Sequence, residues 1–265
     1  MTTEETTAGG DLTGRAVIVT GGSQALGLAT SRRLAEEGCD LALCGRDPDR
    51  VEAASVELRE RYGGTVHAEC LDVLEETALE RFIQRSAETL GRVDGLVACA
   101  GGARGGDLFA ATSQDWVDTY RLNVAHPAVA LRAAARHLGR TRGSAVLVSS
   151  ISGWKPSPPA QYAAAKAAQI HAAASLAREL GPLGIRINSV SPGSMLIPGK
   201  GWDTLRQRDP EAYRAFEGEF PMGRLVEPEE VAAVIAFLVS DRARAVNGAN
   251  IPVDAGQNAP SAYGY

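Results

Sequence analysis

No apolar run in the sequence approaches the roughly 18 residues that a membrane-crossing helix needs. A basic field is missing as well. Lysine and arginine number 27 against 32 aspartate and glutamate, a formal net charge of -5, so nothing draws in nucleic acid or an anionic membrane surface. Cysteine is scarce, and Cys39, Cys44, Cys70 and Cys99 are scattered without a CxxC pair or histidines at ligand spacing. That leaves reduced, packed thiols and no metal site. Aromatic residues are only 5% of the chain, and no repeat or low-complexity linker divides it. The start, MTTEETTAGGD, is acidic and polar, unlike a secretory or mitochondrial leader, so a cytoplasmic protein is expected.

What is present is a chain of 265 residues, 45% hydrophobic, enough for one sizeable core and one domain. RAVIVT (15–20) is an apolar, β-branched run that ends in glycines and leads into the helix-compatible ALGLATSRRLAEEG. The cycle repeats with DLALC (40–44) before a helix over 47–62 and TVHAECL (65–71) before one over 75–90. DGLVACA (94–100), SAVLVSS (144–150), IRINSV (185–190) and ANIPVD (249–254) complete the set. Seven short apolar strands alternating with helices predict an α/β fold, a doubly wound parallel seven-stranded sheet of Rossmann type, because strands buried on both faces lose in-out alternation. Residues 1–11 read as a flexible polar leader, 12–256 as the single domain and 257–265 as a tail. Within the domain, 194–226 is rich in Gly, Pro and charge and reads as a lid before a helix over 227–240.

Ligands of such sheets bind beyond the carboxyl ends of the strands. There, TGGSQALG (20–27) joins the first strand to the first helix, and Gly21, Ser23, Gln24, Leu26 and Gly27 can hold a pyrophosphate on backbone N–H groups and the helix dipole. After the second strand, Gly45 leaves space and Arg46 offers a planar donor fork where an acidic residue would instead favour a free ribose hydroxyl. NADP(H) is therefore preferred to NAD(H), although Gln24 brings no second positive charge. Asp47 caps the following helix. Asp72-Val73 either approaches the adenine amino group or caps the next helix. Ala100-Gly101-Gly102 lets backbone pass close to a cofactor.

Tyr162 and Lys166 share a face of an Ala-rich helix, and a buried ammonium beside a phenol favours phenolate. Such a pair is common, but Ser150 closes the fifth strand before it and Asn123 lies in Leu122-Asn123-Val124 on the helix after the fourth. Together TGGSQALG (20–27), LNV (122–124), SSISG (149–153), YAAAK (162–166), NSVSPG (188–193) and NIPVDAG (250–256) resemble the short-chain dehydrogenase/reductase family over residues 12–256. The resemblance implies an enzyme in which Tyr162 exchanges a proton with the substrate oxygen and Ser150 hydrogen-bonds it. Lys166 would bind the nicotinamide ribose and lower the tyrosine pKa, and Asn123 would hold a water linking Lys166 to solvent. Pro192 and Gly193 would pass beside the nicotinamide. Ser150 is preferred to Ser149 because the family's serine stands three residues before a glycine, here Gly153. No metal is implied, and a homo-oligomer, tetramer or dimer, is expected through the helices bearing Asn123 and Tyr162 and the last strand.

Several positions depart from the family pattern. Ala25 replaces its middle glycine, which puts a methyl group beside the pyrophosphate turn and bears on cofactor fit. Ala98 and Cys99 replace two asparagines, so their hydrogen bonds must be supplied otherwise or dispensed with. Ile197 stands where a threonine often contacts the carboxamide, leaving Ser194 or backbone to substitute. Ala255 replaces a glycine without a predictable consequence. Met195, Ile197, Trp202, Phe216, Phe220 and Met222 in the lid, with Trp154 opposite, point to a bulky, partly apolar ketone or else to core and subunit contacts. Lys155 and Lys200 could meet an acidic group, and the tail could reach a neighbouring subunit's site. The preferred function is an NADP(H)-dependent ketoreductase similar to the 3-oxoacyl-thioester (acyl-carrier-protein) reductases. The alternatives are a sugar or polyol dehydrogenase working oxidatively, and a nucleotide-sensing protein without catalysis, against which Asn123, Ser150, Tyr162 and Lys166 together argue.

Overall fold

Every side chain of β1 (Ala16–Thr20) is buried, which requires that both faces of its sheet be covered. The computed structural model describes residues 12–259; the expected leader, 1–11, and residues 260–265 of the expected tail lie outside them. β1 is joined by β2 (Asp40–Gly45), β3 (Val66–Cys70), β4 (Gly95–Ala98), β5 (Ser144–Val148), β6 (Arg186–Pro192) and β7 (Asn250–Val253). All pairings are parallel, in the order β3-β2-β1-β4-β5-β6-β7. The connection after β3 passes to the far side of β1, so the strand order reverses between β1 and β4. A crevice opens there at the carboxyl ends.

The helices are α1 (Ala25–Glu36), α2 (Pro48–Tyr62), α3 (Glu76–Leu90), α4 (Ser113–Tyr120), α5 (His126–Thr141), α6 (Ala160–Leu180), α7 (Gly201–Arg208), α8 (Pro210–Glu217) and α9 (Pro228–Val239). Alternate residues of β1 serve opposite layers. Val17 and Val19 pack with Leu34 of α1, Leu58 of α2 and Ile235 of α9, whereas Ile18 packs with Phe82 of α3, Leu131 of α5 and Ala177 of α6. Full burial of a side chain such as Phe82 contributes roughly 2–3 kcal/mol. Local chemistry sets the helix ends. Asp47 accepts from the Arg50 N–H and Pro48 opens α2, a Thr112/Asp115 capping box opens α4, and Glu227 and Glu230 form another around Pro228.

The expected lid is not an irregular loop. It contains α7 and α8, with Asp209 ending the first and accepting from the Ala212 N–H to start the second. A single parallel bridge, Met195 to Val226, closes its base. Trp202 stacks on Phe216 with centroids 3.8 Å apart, and Phe220 meets Phe216 edge-on at 5.3 Å. With Tyr213 and Leu225 they form a small core of their own. Phe216 and Phe220 are thus lid interior, while Met222 is 62% exposed. Among the described residues no helix is long and apolar enough to cross a membrane, and no group of acidic, His or Cys residues could hold a metal ion.

Candidate active site

A cleft of about 550 Å³ runs along the carboxyl ends of the strands. At one end lies the glycine turn. Gly21 has φ +70, and a Cβ on Gly27 would sit 1.9 Å from the Gly21 carbonyl oxygen, so only glycine lets α1 start this close to β1. Gln24, the N-cap, makes no side-chain cap bond, which leaves the first amides of α1 open toward the cleft. The cradle suits a pyrophosphate. Ala25, where the family has glycine, nevertheless adopts φ +47, so its methyl group carries the strain that glycine avoids.

Arg46 lies exposed at this end, 4.0 Å from the Asp72 carboxylate. Asp72 does not cap α3, whose N-cap is Glu75; it accepts from the Leu74 N–H at 3.0 Å and lines the cleft with Val73. Gln24 itself is neutral, as expected, but it holds a positive charge beside the turn. Its amide oxygen accepts from the Arg50 guanidinium, which also lies 3.1 Å from Asp47. The signal was present in the sequence, because an arginine in the first turn of a helix opposes the dipole and invites another explanation.

The other end is built by β5 and α6. Ser149 and Ser150 are adjacent but divide their work: the Ser149 hydroxyl donates to the Lys166 carbonyl at 3.0 Å inside the fold, whereas Ser150 faces the cleft that Tyr162 also lines. Ser150 also accepts from the Ser152 N–H at 3.1 Å. Burial pushes the Tyr162 phenol up, and Ser150 pulls it partly back. Lys166 lies over the Tyr162 ring. Its ammonium, 5.7 Å from the Tyr162 ring centre, donates to the Val148 carbonyl at 2.7 Å and the Gln169 amide oxygen at 2.9 Å. Burial lowers its pKa to about 7.

Asn123 sits behind the cleft wall in a π-helical turn, Arg121–Ala125, that joins α4 to α5. Its amide donates to the Gly102 and Thr119 carbonyls, both at 2.7 Å, and accepts from the Gly102 N–H at 3.1 Å. The side chain is a brace for the loop after β4. At Gly101 a Cβ would lie 2.9 Å from the Asn123 oxygen and 3.2 Å from the Lys166 nitrogen, so a bare backbone keeps the two groups close. The remaining expected positions, Ala100, Pro192 and Gly193, line the cleft with Ser23 and Leu26.

At Thr20, the register partner of Ala98, a side-chain hydrogen bond comes from another element. His126, the first residue of α5, reaches the Thr20 hydroxyl at 3.0 Å and the Leu122 carbonyl at 3.1 Å. Burial lowers its pKa to about 4, so the ring is neutral; it donates to the carbonyl and accepts from Thr20. Ser194, expected to contact a carboxamide, is held by Gln257, whose oxygen accepts from the Ser194 N–H at 2.8 Å and whose nitrogen donates to the hydroxyl at 3.1 Å. Lys155 donates to the Gln257 carbonyl at 2.8 Å. The described start of the tail therefore ties together walls of its own chain's cleft. Ala255 takes φ +51, a consequence not predicted. Met195, Ile197, Lys200 and Trp202 complete the lid side.

A parallel sheet with a glycine cradle at one end and a Ser-Tyr-Lys cluster at the other defines a nucleotide-dependent oxidoreductase fold. The model of the family described as enoyl-(acyl carrier protein) reductase matches residues 21–258. Meso-2,3-butanediol dehydrogenase of Serratia marcescens is 34% identical over 251 residues, 92% of this chain and 95% of that protein. Among solved structures, a short-chain dehydrogenase of Burkholderia cenocepacia in complex with NADP superposes with TM-score 0.86 at 34% identity, covering 94% of this chain and 100% of the other. An NAD+-bound xylitol dehydrogenase gives TM-score 0.84 at 30% identity, covering 92% and 99%. The chain belongs to the short-chain dehydrogenase/reductase family and is an oxidoreductase of that family.

Proposed function

We propose that the protein interconverts a ketone and a secondary alcohol with NADP(H), Tyr162 serving as acid and base. The observation that carries the reading is that Ser150, Tyr162 and Lys166 line the same cleft as the glycine cradle. A nicotinamide nucleotide, when bound, supplies or accepts the hydride. The cradle of Gly21, Ser23, Gln24, Leu26 and Gly27 would hold its pyrophosphate, Arg46 and Arg50 its 2′-phosphate, and Lys166 its nicotinamide ribose. In reduction the phenol gives its proton to the carbonyl oxygen while Ser150 donates a hydrogen bond to that oxygen as charge develops on it. A phenol pushed up by burial carries the proton that reduction of a ketone consumes, and the reading takes the protein to be a biosynthetic ketoreductase. Asn123 braces the loop beside Lys166. The reading also takes the protein to be cytoplasmic and a homo-oligomer; Val117 and Tyr120 of α4 are exposed and open to a second copy.

The test follows NADPH and NADH absorbance with β-ketoesters, cyclic ketones and quinones, and NADP+ reduction with sugars and alcohols. NADPH consumption on a ketone, faster than NADH consumption, is the expected result. Nucleotide binding with no turnover on any member would leave a sensor and refute the enzyme. The diol and polyol dehydrogenases among the relatives favour a second reading, oxidation of a polyol, which NADP+ reduction outpacing ketone reduction would establish.

A further inference from the structure

Gln169 lies on α6 one turn beyond Lys166 and is 1% exposed. Its amide oxygen accepts from the Lys166 ammonium at 2.9 Å, while its amide nitrogen is buried without a hydrogen-bond partner. Leaving half an amide buried and unpaired is unfavourable, and an apolar side chain at the same place would avoid that penalty. Packing alone does not account for a glutamine here. Gln169 is also absent from the cleft wall that Lys166 helps to form, so whatever it does for a ligand it does through that lysine.

We infer that Gln169 is a positioning residue for Lys166: with the Val148 carbonyl it fixes two of the three ammonium N–H groups and leaves the third for a ligand in the cleft. The inference rests on the functional reading above, in which that ligand is the nicotinamide ribose. An acceptor 2.9 Å from the nitrogen favours the charged ammonium, against burial, which lowers the Lys166 pKa to about 7. The titratable neighbours are neutral in that range. Cys99, at the end of β4, is pushed up to about 12 by burial, His126 on α5 is held near 4, and Tyr162 on α6 is pushed up. Val148 and Ser149 of the β5 end, and Asn123 of the π-helical turn, contribute no charge. Near neutral pH Lys166 is therefore the member of this set that titrates.

Ribose hydroxyls accept from the ammonium, so nucleotide affinity is level below the Lys166 titration and weakens about tenfold per pH unit above it. Removing the Gln169 oxygen destabilises the charged form and moves that midpoint down; a carboxylate in its place moves it up. The experiment is NADPH binding by fluorescence titration between about pH 6 and about pH 9.5, on the parent, Gln169→Met and Gln169→Glu, with thermal unfolding of each. The expected result is a midpoint about one unit lower in Gln169→Met, hence about tenfold weaker binding above it, and a midpoint higher in Gln169→Glu. Should Gln169→Met fail to fold, the direction of the Gln169→Glu shift decides. Midpoints in the folded variants that coincide with the parent's overturn the inference alone, whatever happens to the unfolding temperature. A parent that binds no nicotinamide nucleotide at any pH refutes the functional reading, and this inference with it.

Discussion

Replacing Ala25 by glycine removes a methyl group that lines the pyrophosphate turn and is expected to stabilise the protein. Ala25 has φ +47, and the left-handed region costs a residue bearing a Cβ about 1–2 kcal/mol. Glycine removes that cost but loses more backbone freedom on folding, about 0.5–1 kcal/mol. The difference is a net stabilisation of roughly 0.5–1 kcal/mol. For a chain of this size 1 kcal/mol moves the unfolding temperature by about 2–4 °C, so Ala25→Gly should melt roughly 1–4 °C higher in a thermal scan. Ala255, at φ +51, offers an independent trial near the other end of the chain, and the two gains should add. Lower melting temperatures in both single variants would refute the reasoning, because they would mean that the left-handed alanines are not strained. NADPH affinity, measured on the same samples, should stay within about threefold of the parent, since the open amides that form the cradle are unchanged.

Tyr162→Phe is expected to cut turnover by about 10²–10⁴ while NADPH still quenches protein fluorescence at the parent's concentrations; normal activity would remove the phenol from the mechanism. Arg46→Ala and Arg50→Ala should each weaken NADPH about tenfold, the scale of one charge-assisted hydrogen bond, and leave NADH nearly unchanged, as competitive binding would read. Equal losses for both nucleotides would end the 2′-phosphate assignment. His126 is neutral in the fold, with its pKa lowered from 6.5 to about 4. Between those values the unfolded ring takes up a proton that the folded ring refuses, so stability falls with pH across the window, by roughly 3 kcal/mol at its lower end. Urea unfolding of the parent against His126→Gln should show this excess acid sensitivity in the parent. Parallel pH curves would count against a neutral buried imidazole.

The sheet was legible because continuous apolar runs such as AVIVT (16–20) can only be strands covered on both faces, and each ended in a turn signal. The cofactor end was legible for the same local reason, glycines at a strand-to-helix junction. Ser150 was preferred to Ser149 by its distance to Gly153; the bond from Ser149 to the Lys166 carbonyl could not be read from the chain. The His126 bond to Thr20 was not readable, since it joins residues 106 positions apart and nothing local marks a histidine that reaches across to the first strand. Nor was the direction of the Lys166 ammonium, which depends on the Val148 carbonyl and on a glutamine one turn away. Trp202, Phe216 and Phe220 could not be sorted into cleft and interior from composition, because only the pairing of α7 with α8 decides which rings stack. The left-handed conformation of Ala25 and Ala255 is a backbone feature that an alanine in the sequence conceals.

The stacked rings inside the lid carry a consequence for how the protein can diverge. Because Trp202, Phe216 and Phe220 satisfy one another, and a single bridge from Met195 to Val226 closes the base, the lid carries its own apolar interior. Changes at Ile197 or Lys200, which face the cleft, leave both layers of the main core intact. The chain thus separates two bodies, a main core held by the sheet and a segment over the cleft with an interior of its own, and change in the second need not disturb the first.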